Sequence, residues 1–175
     1  MATNAIEVHK ITQANTYLNG NNMLGKVESV DMPDIKFIFE EFKAMGMVGK
    51  MDLPTTGVDK LEGKMKFNSM YPQIAKGITP FKSQQLQLRS NVQVHTNQGI
   101  VRQVPLVTFM TVNFKNFPTG KFEQLKNVDA EYDFNCTYFK QIFDGNEVIE
   151  YDPLANILKF NGEDVLKEYR ENLGM

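Results

Sequence analysis

The sequence predicts a mainly β fold: one β-sandwich or barrel domain with long hairpins and one short helix. Several segments alternate apolar and polar residues with the period of two that a half-buried strand requires, most clearly residues 129–138. Asp144-Gly145 stands between two such runs, and Asp-Gly is a strong signal for a two-residue hairpin turn. A chain of 175 residues, 42% of them hydrophobic, has the length of a single domain with one core.

The most regular alternation precedes that turn. One face of the predicted strand carries Ala130, Tyr132, Phe134, Cys136 and Tyr138, and the opposite face carries acidic and polar residues. We therefore predict a half-buried strand with an acidic outer face, followed after the turn by a return strand at residues 147–152. The single cysteine lies on the apolar face, so we expect a small core hydrophobe in a protein that folds in a reducing cytoplasm.

The first third of the chain is less regular. Residues 1–22 are polar without a sustained period, which predicts an arm ordered only by a partner, although a frayed terminus fits equally well. Residues 25–30 alternate and predict a first strand that stops before a Met-Pro pair. Residues 35–43 match helix and strand spacing alike. Residues 44–58 are punctuated by glycine, which predicts a long mobile loop.

The middle of the chain predicts a strand, a helix and a hairpin. Residues 61–68 alternate, and Pro72 and Gly77 suit the first position and the end of one short helix. Residues 85–95 and 100–115 predict a long hairpin, with polar residues along one face of its first strand. Its second strand is apolar on both faces, which predicts a position in the middle of a sheet covered on both sides.

The end of the chain follows a predicted loop at residues 116–128 and the hairpin around Asp144-Gly145. Residues 157–160 predict a last short strand, and Asn161-Gly162 predicts a turn. Residues 163–175 are predicted to form a C-terminal helix or an arm containing one, with Asp164 as its N-cap.

Composition bounds the function. Lys and Arg number 19 against 21 Asp and Glu, so the formal charge of -2 supplies no basic field to hold a nucleic acid, and any contact with DNA is expected to be non-adhesive. No apolar run approaches the roughly 20 residues of a membrane span, and the N-terminus lacks the layout of a secretory signal. We therefore expect no membrane anchor.

The chemistry of an enzyme is not evident in the sequence. His9 and His95 stand apart, and no Cys or His spacing suits zinc, so no metal site and no cofactor are expected. No phosphate loop or nucleophile elbow is present. The carboxylates of Asp129, Glu131 and Asp133 could serve glycoside chemistry, but a solvated strand face is commoner by roughly ten to one. We predict that the protein is not an enzyme.

Four motifs follow one another in the last third of the chain: Cys136-Thr-Tyr-Phe139, Asp144-Gly145 with the strand behind it, Phe160-Asn161-Gly162, and the ending Tyr169-Arg-Glu-Asn-Leu-Gly-Met175. Their order and spacing resemble the major tail tube proteins of contractile-tailed bacteriophages, a family also used by R-type bacteriocins. Residues 19–33 resemble the family's N-terminal segment, a glycine loop that leads into a strand ending at Leu-Pro or Met-Pro. The resemblance implies a strand at residues 35–43.

The resemblance also implies an assembly. Hexameric rings, to which each subunit contributes strands of a shared inner β-barrel, stack into a tube surrounded by the sheath. The tube guides DNA into the host, houses the tape measure protein and begins at a baseplate tube initiator. The protein would then reside in the virion tail after synthesis in the bacterial host cytoplasm.

Acidic residues are the candidates for two surfaces of that tube. Carboxylates repel phosphate within a Debye length of about 8 Å, so a lumenal lining is expected from Glu40, Glu41, Asp129, Glu131 and Asp133, although a solvated outer face explains them equally well. The strand pairs expected at the lumen are residues 36–43 with 61–68, and 104–115 with 129–138. Weak contacts summed over many copies predict a sheath-binding site at Glu163, Asp164, Glu168 and Glu171.

Two other functions fit the same features. The tube of a phage-derived contractile bacteriocin or injection system would use this fold without passing DNA. A soluble β-sandwich that binds a small ligand belongs to a different class, and it would need an aromatic cluster around a cleft, whereas the chain contains no Trp.

Overall fold

The structure is a computed structural model that describes residues 6–175. Within that range it contains twelve strands and two short helices, which confirms the predicted mainly β fold. The strands are β1 Val8–Leu18, β2 Asn21–Asn22, β3 Val27–Asp31, β4 Phe37–Phe42, β5 Met51–Val58, β6 Leu61–Phe67, β7 Gln84–Thr96, β8 Gly99–Phe114, β9 Ala130–Phe143, β10 Asn146–Asp152, β11 Ile157–Phe160 and β12 Glu163–Asp164. The helices are α1 Pro72–Gly77 and α2 Lys167–Asn172.

Ten of these strands form one antiparallel sheet, in the order β12-β11-β10-β9-β8-β7-β1-β2, with β6 and β3 branching from β9. The branch exists because β9 changes partner along its length. Its first half, from Ala130 to Cys136, pairs with β6, and its second half, from Phe139 to Phe143, pairs with β10. The other edge of β9 pairs with β8 from Phe134 to Phe143. β4 and β5 form a separate two-stranded sheet.

The branch folds the sheet into two layers. Val30 on β3 lines the same cleft as Ala14 on β1, Leu88 on β7 and Leu106 on β8, so β3 lies across one face of these three strands. Val27 and Val30 pack against the buried core from this second layer. The described subunit is therefore a sandwich in which β3 and β6 cover the core side of β1, β7 and β8.

The core is aromatic and is centred on β9. The Tyr132 ring packs edge-on against Phe67 and Phe114, with centroid distances of 5.5 and 5.6 Å. Burial raises the pKa of the Cys136 thiol to about 12, and the thiol donates a hydrogen bond to a backbone carbonyl. The predicted apolar face of β9 is confirmed from Ala130 to Cys136.

Tyr138 departs from that prediction. The register between β8 and β9 shifts between the pairs Thr111↔Tyr138 and Val112↔Cys136, so one residue of β9 has no opposite number. Such a bulge reverses the alternation that follows it. Tyr138 therefore shares the outer face of the sheet with Gln87 and Lys140, rather than the core.

Both predicted tight turns are confirmed. Asp144 and Gly145 have φ of 50° and 79°, and Asn161 and Gly162 have φ of 50° and 82°. Positive φ at both central positions is the requirement of a type I′ turn, which matches the twist of the flanking strands. The short helix α1 and the C-terminal helix α2 are also confirmed.

The prediction of an arm at residues 1–22 is wrong for much of the described part, and residues 1–5 lie outside the described residues. β1 pairs with β7 from Val8 to Leu18. A register shift between Ile11 and Gln13 interrupts the alternation of β1, so the segment shows no single period in the sequence. Pairing with a long neighbouring strand, rather than its own pattern, makes this segment a strand.

Residues 44–58 also differ from the prediction of a long mobile loop. Met51–Val58 is β5, which pairs with β4, so the irregular connection spans only residues 43–50. Pro54 and a register shift between Phe37 and Phe39 obscure the alternation in the sequence. The expected pairing of residues 36–43 with 61–68 is wrong, because β6 pairs with β3 and β9, whereas the expected neighbours β8 and β9 do pair.

Two smaller expectations need correction. β8 lies in the middle of the sheet, but only its core side is buried in the subunit, for example at Met110 and Val112, while residues between them stay half-buried. Asp164 does not cap α2, whose N-cap is Leu166. Asp164 instead accepts a hydrogen bond from the Leu166 N–H at 3.1 Å as the chain enters the helix.

Candidate functional surfaces

The acids of β9 face lysines of β6. The pairing register sets Lys64 opposite Asp133 and Lys66 opposite Glu131. Lys64 Nζ lies 2.7 Å from Glu131 Oε1 and 3.7 Å from an Asp133 oxygen, and Lys66 Nζ lies 3.8 Å from Asp129. The Lys64 hydrogen bond is the main reason that the pKa of Glu131 is lowered. Asp129, Glu131 and Asp133, three of the five acids expected to line the lumen, are therefore members of cross-strand ion pairs.

The same surface continues to the neighbouring strands. Glu28 on β3 lies 3.1 Å from Lys66, and Glu62 on β6 lies 2.6 Å from Lys115 and 3.2 Å from Lys60. The hydrogen bond from Lys115 is the main cause of the lowered pKa of Glu62. We call this surface, which carries five carboxylates and four lysines, the charged face: Glu28, Lys60, Glu62, Lys64, Lys66, Lys115, Asp129, Glu131 and Asp133. Its charges nearly balance.

Glu40 and Glu41 lie elsewhere, on the separate hairpin of β4 and β5. Glu41 pairs with Lys50 at 2.7 Å. The hairpin exposes large apolar side chains, including Phe39 at 55% and Leu53 at 44% exposure. Because β4 belongs to a different sheet from β9, the structure does not join the five candidate acids into one row.

The candidate sheath site divides in two. Asp164 is held by Arg170, with 2.5 Å between Asp164 Oδ2 and Arg170 Nη2, and this contact is the main cause of the lowered pKa of Asp164. Glu171 lies 3.9 Å from Lys167 on the exposed surface of α2. Glu163 and Glu168 are exposed. Asp164 thus forms an ion pair within the C-terminal segment, whereas the three glutamates are exposed to solvent.

A partly buried polar network was not foreseen from the sequence. Glu150 on β10 accepts hydrogen bonds from Tyr138 at 2.9 Å and from Lys159 at 2.7 Å, and Lys140 lies 3.4 Å away. Lys140 also pairs with Glu147 at 2.5 Å. Burial first, and the Glu150 hydrogen bond second, raise the pKa of Tyr138 to about 12. The bulge in β9 creates this network by turning Tyr138 outward, and no local pattern in the sequence indicates it.

The outer face of β1, β7 and β8 has a different chemistry. Side chains that the register places in cross-strand pairs here are mostly amides and hydroxyls, and we call this surface the amide face: Lys10, Gln13, Asn15, Tyr17, Gln85, Gln87, Arg89, Asn91, Gln93, Gln103 and Thr111, together with the apolar Pro105, Val107 and Phe109 of β8. Asn91 Nδ2 donates to Gln103 Oε1 at 2.6 Å. The Gln87 carboxamide oxygen accepts from Arg89 Nε at 2.8 Å and from its Nη2 at 3.0 Å. Asn91 and Gln103 thus pair with each other and Gln87 pairs with Arg89, whereas Asn15 Oδ1 is buried without a hydrogen-bond partner.

The three strands that carry the amide face have two free edges. Pairing between β8 and β9 begins at Leu106, and the Pro105 carbonyl accepts a hydrogen bond from the Asp144 N–H at 2.9 Å, so residues 99–104 have backbone partners only on the β7 side among the described residues. β2 covers only Tyr17 and Leu18 of β1, so residues 8–15 likewise pair only with β7 in the part of the chain that is described. Along each free stretch, about every second residue therefore points its backbone N–H and C=O groups outward, because these groups alternate between the two sides of a strand.

Within residues 6–175, no three His, Cys, Asp or Glu side chains converge as a metal site would require. Over the same residues, no helix has the length and apolar character needed to cross a membrane.

The fold and these surfaces define a structural β protein whose sheet keeps free edges. The description "Phage tail tube protein FII" belongs to a family model that matches residues 8–174, and the chain belongs to this family. It is therefore a structural tail tube protein of the contractile phage type. This confirms the family to which the sequence motifs pointed.

Two individual comparisons agree with the family. The chain is 25% identical over 176 residues to the tail tube protein of Escherichia phage P2, covering 95% of this chain and 97% of that protein. A chain from the cryo-EM structure of an extracellular contractile injection system, the PVC sheath/tube terminator in the extended state, has a TM-score of 0.54. That alignment covers 75% of this chain and 94% of the other at 8% identity, so it bears on the fold alone.

Proposed function

We propose that this protein is the repeating subunit of the inner tube of a contractile phage tail, in which hexameric rings stack into a channel for DNA. The family match across residues 8–174 carries the proposal. The structure supports it with two features that a lone subunit leaves unsatisfied: the free edges of β1 and β8, and the apolar hairpin of β4 and β5.

Free edges favour a ring. A closed cyclic assembly needs a head-to-tail contact between two different surfaces of the same chain. The two edges lie on opposite sides of one sheet, and continued pairing between copies would satisfy the backbone groups and remove the risk of uncontrolled edge pairing. A shared inner β-barrel is the closed form of such pairing.

The hairpin of β4 and β5 favours a second contact. Phe37 at its base lies 5.9 Å from the Phe160 ring, which anchors it to the sheet, whereas Met45 and Val48 near its tip are fully exposed. Exposed apolar patches mark interaction sites in soluble proteins. We propose that this hairpin packs on a neighbouring copy and helps successive rings to stack.

If the protein forms the inner tube of a contractile tail, it contacts other proteins of that tail. The sheath would surround the tube, the tape measure protein would occupy the channel, and a baseplate tube initiator would start assembly. Glu163, Glu168 and Glu171 are the proposed sheath contacts, since Asp164 is occupied by Arg170. The location is then the virion tail, after synthesis in the host cytoplasm, and the role is structural rather than enzymatic.

The sheath contact can be tested by graded changes of charge. Glu168→Lys with Glu171→Lys should leave tubes intact and impair sheath assembly on them, while the Gln variants at both positions should have a smaller effect. Exposed pairs are individually weak, so the effect depends on repetition along the tube. Normal sheath assembly on the lysine variant would mean that these residues form only a solvated face.

Electron microscopy tests the central proposal. The purified protein, concentrated or mixed with baseplates, should form tubes of stacked rings with an open channel. Particles that remain single subunits under both conditions would contradict it, and a ligand-binding module would behave in that way. A bacteriocin tube would look identical, so capsid and terminase genes beside this gene are the observation that favours a phage.

A further inference from the structure

We propose that the amide face lines the channel, and that the free edge of β8 in one copy pairs with the free edge of β1 in the next. This inference rests on the proposed function. It specifies the surface that lines the channel and the contact between β8 of one copy and β1 of the next, which we call the joint. It differs from the expectation that the acids of β9 line the lumen.

The edges suit each other in length and position. The free parts are residues 99–104 of β8 and residues 8–15 of β1, and β7 separates them. Lys10, Gln93 and Gln103 lie in one row across the three strands, so the two edges are level. Pro105 stands where β8 leaves β9, and proline is tolerated at a position where a sheet edge becomes unpaired. Copies related by rotation would place β1 of one beside β8 of the other.

The layers decide which face points inward. β3 and β6 cover the core side of β1, β7 and β8, so the second layer of the subunit lies on that side of the joined sheet. If the core side pointed toward the axis, this second layer would occupy the space of the channel. An open channel therefore requires the second layer outside and the amide face inside.

The charges fit this orientation. The amide face carries two cations, Lys10 and Arg89, among predominantly neutral side chains, and Arg89 is held by the Gln87 carboxamide. Amides form hydrogen bonds with water but add no charge, so these two cations per copy are the only charged members of the face that a passing polyanion would meet. The charged face lies on the other layer, where its paired ions would contact solvent or the sheath.

Mixed disulfide formation tests the joint. One subunit carries Gln103→Cys, and a second carries cysteine at position 8, 10 or 13 of β1. Disulfides require Cβ atoms about 3.5–4.5 Å apart, which two strands separated by β7 within one copy cannot provide. Tubes assembled from the mixture and oxidised should yield a covalent dimer for at least one register, and tubes of either single variant alone should yield none. Intact tubes without any cross-link at all three positions would overturn the joint.

Accessibility to reagents of two sizes tests the lining. Gln93→Cys reports on the amide face and Glu62→Cys is the matched control on the charged face. The native Cys136 is buried, with a pKa of about 12, so it leaves the background low. In assembled tubes, Gln93→Cys should react with a small maleimide but not with a maleimide coupled to streptavidin, whereas Glu62→Cys should react with both.

Each result separates this inference from the proposed function. Reaction of Gln93→Cys with the large conjugate, or protection of Gln93→Cys from both reagents, would overturn the lining. Exclusion of the large conjugate at Glu62→Cys alone would mean that the charged face, with the acids of β9, lines the channel instead. Failure of the parent protein to form tubes would instead contradict the proposed function.

A functional measurement distinguishes the two linings in assembled particles. Changing Gln87, Gln93 and Gln103 to lysine should slow DNA ejection several-fold at low salt and recover at high salt, because lysines in the channel would bind phosphates. The matched change of Asp129, Glu131 and Asp133 to lysine should leave the rate of ejection unchanged. The reverse pattern would overturn the inference.

Discussion

Gly63 on β6 lies directly opposite Phe134 on β9, and the Phe134 ring fills the space that a side chain at position 63 would need. A Cβ at this glycine would lie 2.5 Å from Phe134 Cζ and 2.6 Å from the Asp31 carbonyl oxygen. The contact joins β3, β6 and β9 where the second layer meets the core. Close packing, rather than an unusual backbone angle, therefore requires glycine at this position.

Gly63→Ala should destabilise the subunit by about 1–3 kcal/mol, because overpacking displaces the fully buried Phe134 or the β3 backbone. Gly49→Ala is the control, since a Cβ there meets nothing within 4 Å. The measurement is urea unfolding of the unassembled protein. Equal midpoints for the two variants would show that the sheet relaxes freely around position 63.

Tyr132→Ala should destabilise the subunit by about 3–5 kcal/mol and prevent tube formation, since removal of a buried aromatic ring leaves a cavity. Tyr132 is 2% exposed and packs edge-on against three phenylalanine rings. Tyr132→Phe keeps the ring and should retain most of the stability. Thermal unfolding followed by circular dichroism compares the three proteins; an alanine variant as stable as the phenylalanine variant would contradict the packing.

Glu150 should make the stability depend on acid pH. The hydrogen bond from Lys159 is the main cause that lowers its pKa in the folded protein below the ordinary value of 4.5. The carboxylate therefore stabilises the fold fully above that value, and the contribution is lost as the pH falls through the folded pKa. Glu150→Gln should show a shallower loss of stability on acidification below about pH 4.5. Parallel curves of stability against pH for both proteins would contradict this role.

Lys64 and Glu131 should show charge coupling across the strands. Glu131→Lys alone places a lysine of β9 beside Lys64 and Lys66 of β6 and should lower stability, and adding Lys64→Glu should restore part of it by reversing the pair. Both positions are exposed, so salt should weaken the coupling. A double-mutant cycle at low and high salt measures it; a coupling that is absent at low salt would show that the pair is incidental.

Local patterns in the sequence determined much of the fold. Alternation from Ala130 to Cys136 predicted the buried face of β9, because side chains on a strand alternate strictly between its two faces. The pairs Asp144-Gly145 and Asn161-Gly162 predicted their turns, because few other residues tolerate positive φ at both positions. These features depend on neighbours in the chain, so no tertiary information was needed.

Tertiary structure decided what depends on partners distant in the sequence. Val8–Leu18 is a strand because β7 pairs with it, and Tyr138 faces outward because a bulge opposite Thr111 changes the register. The acids at positions 129, 131 and 133 looked like a negative surface, yet lysines more than sixty residues earlier neutralise them across the β6–β9 pair. Alternation reveals that a residue lies on a face, but only strand pairing determines which charges share that face and which edges remain free.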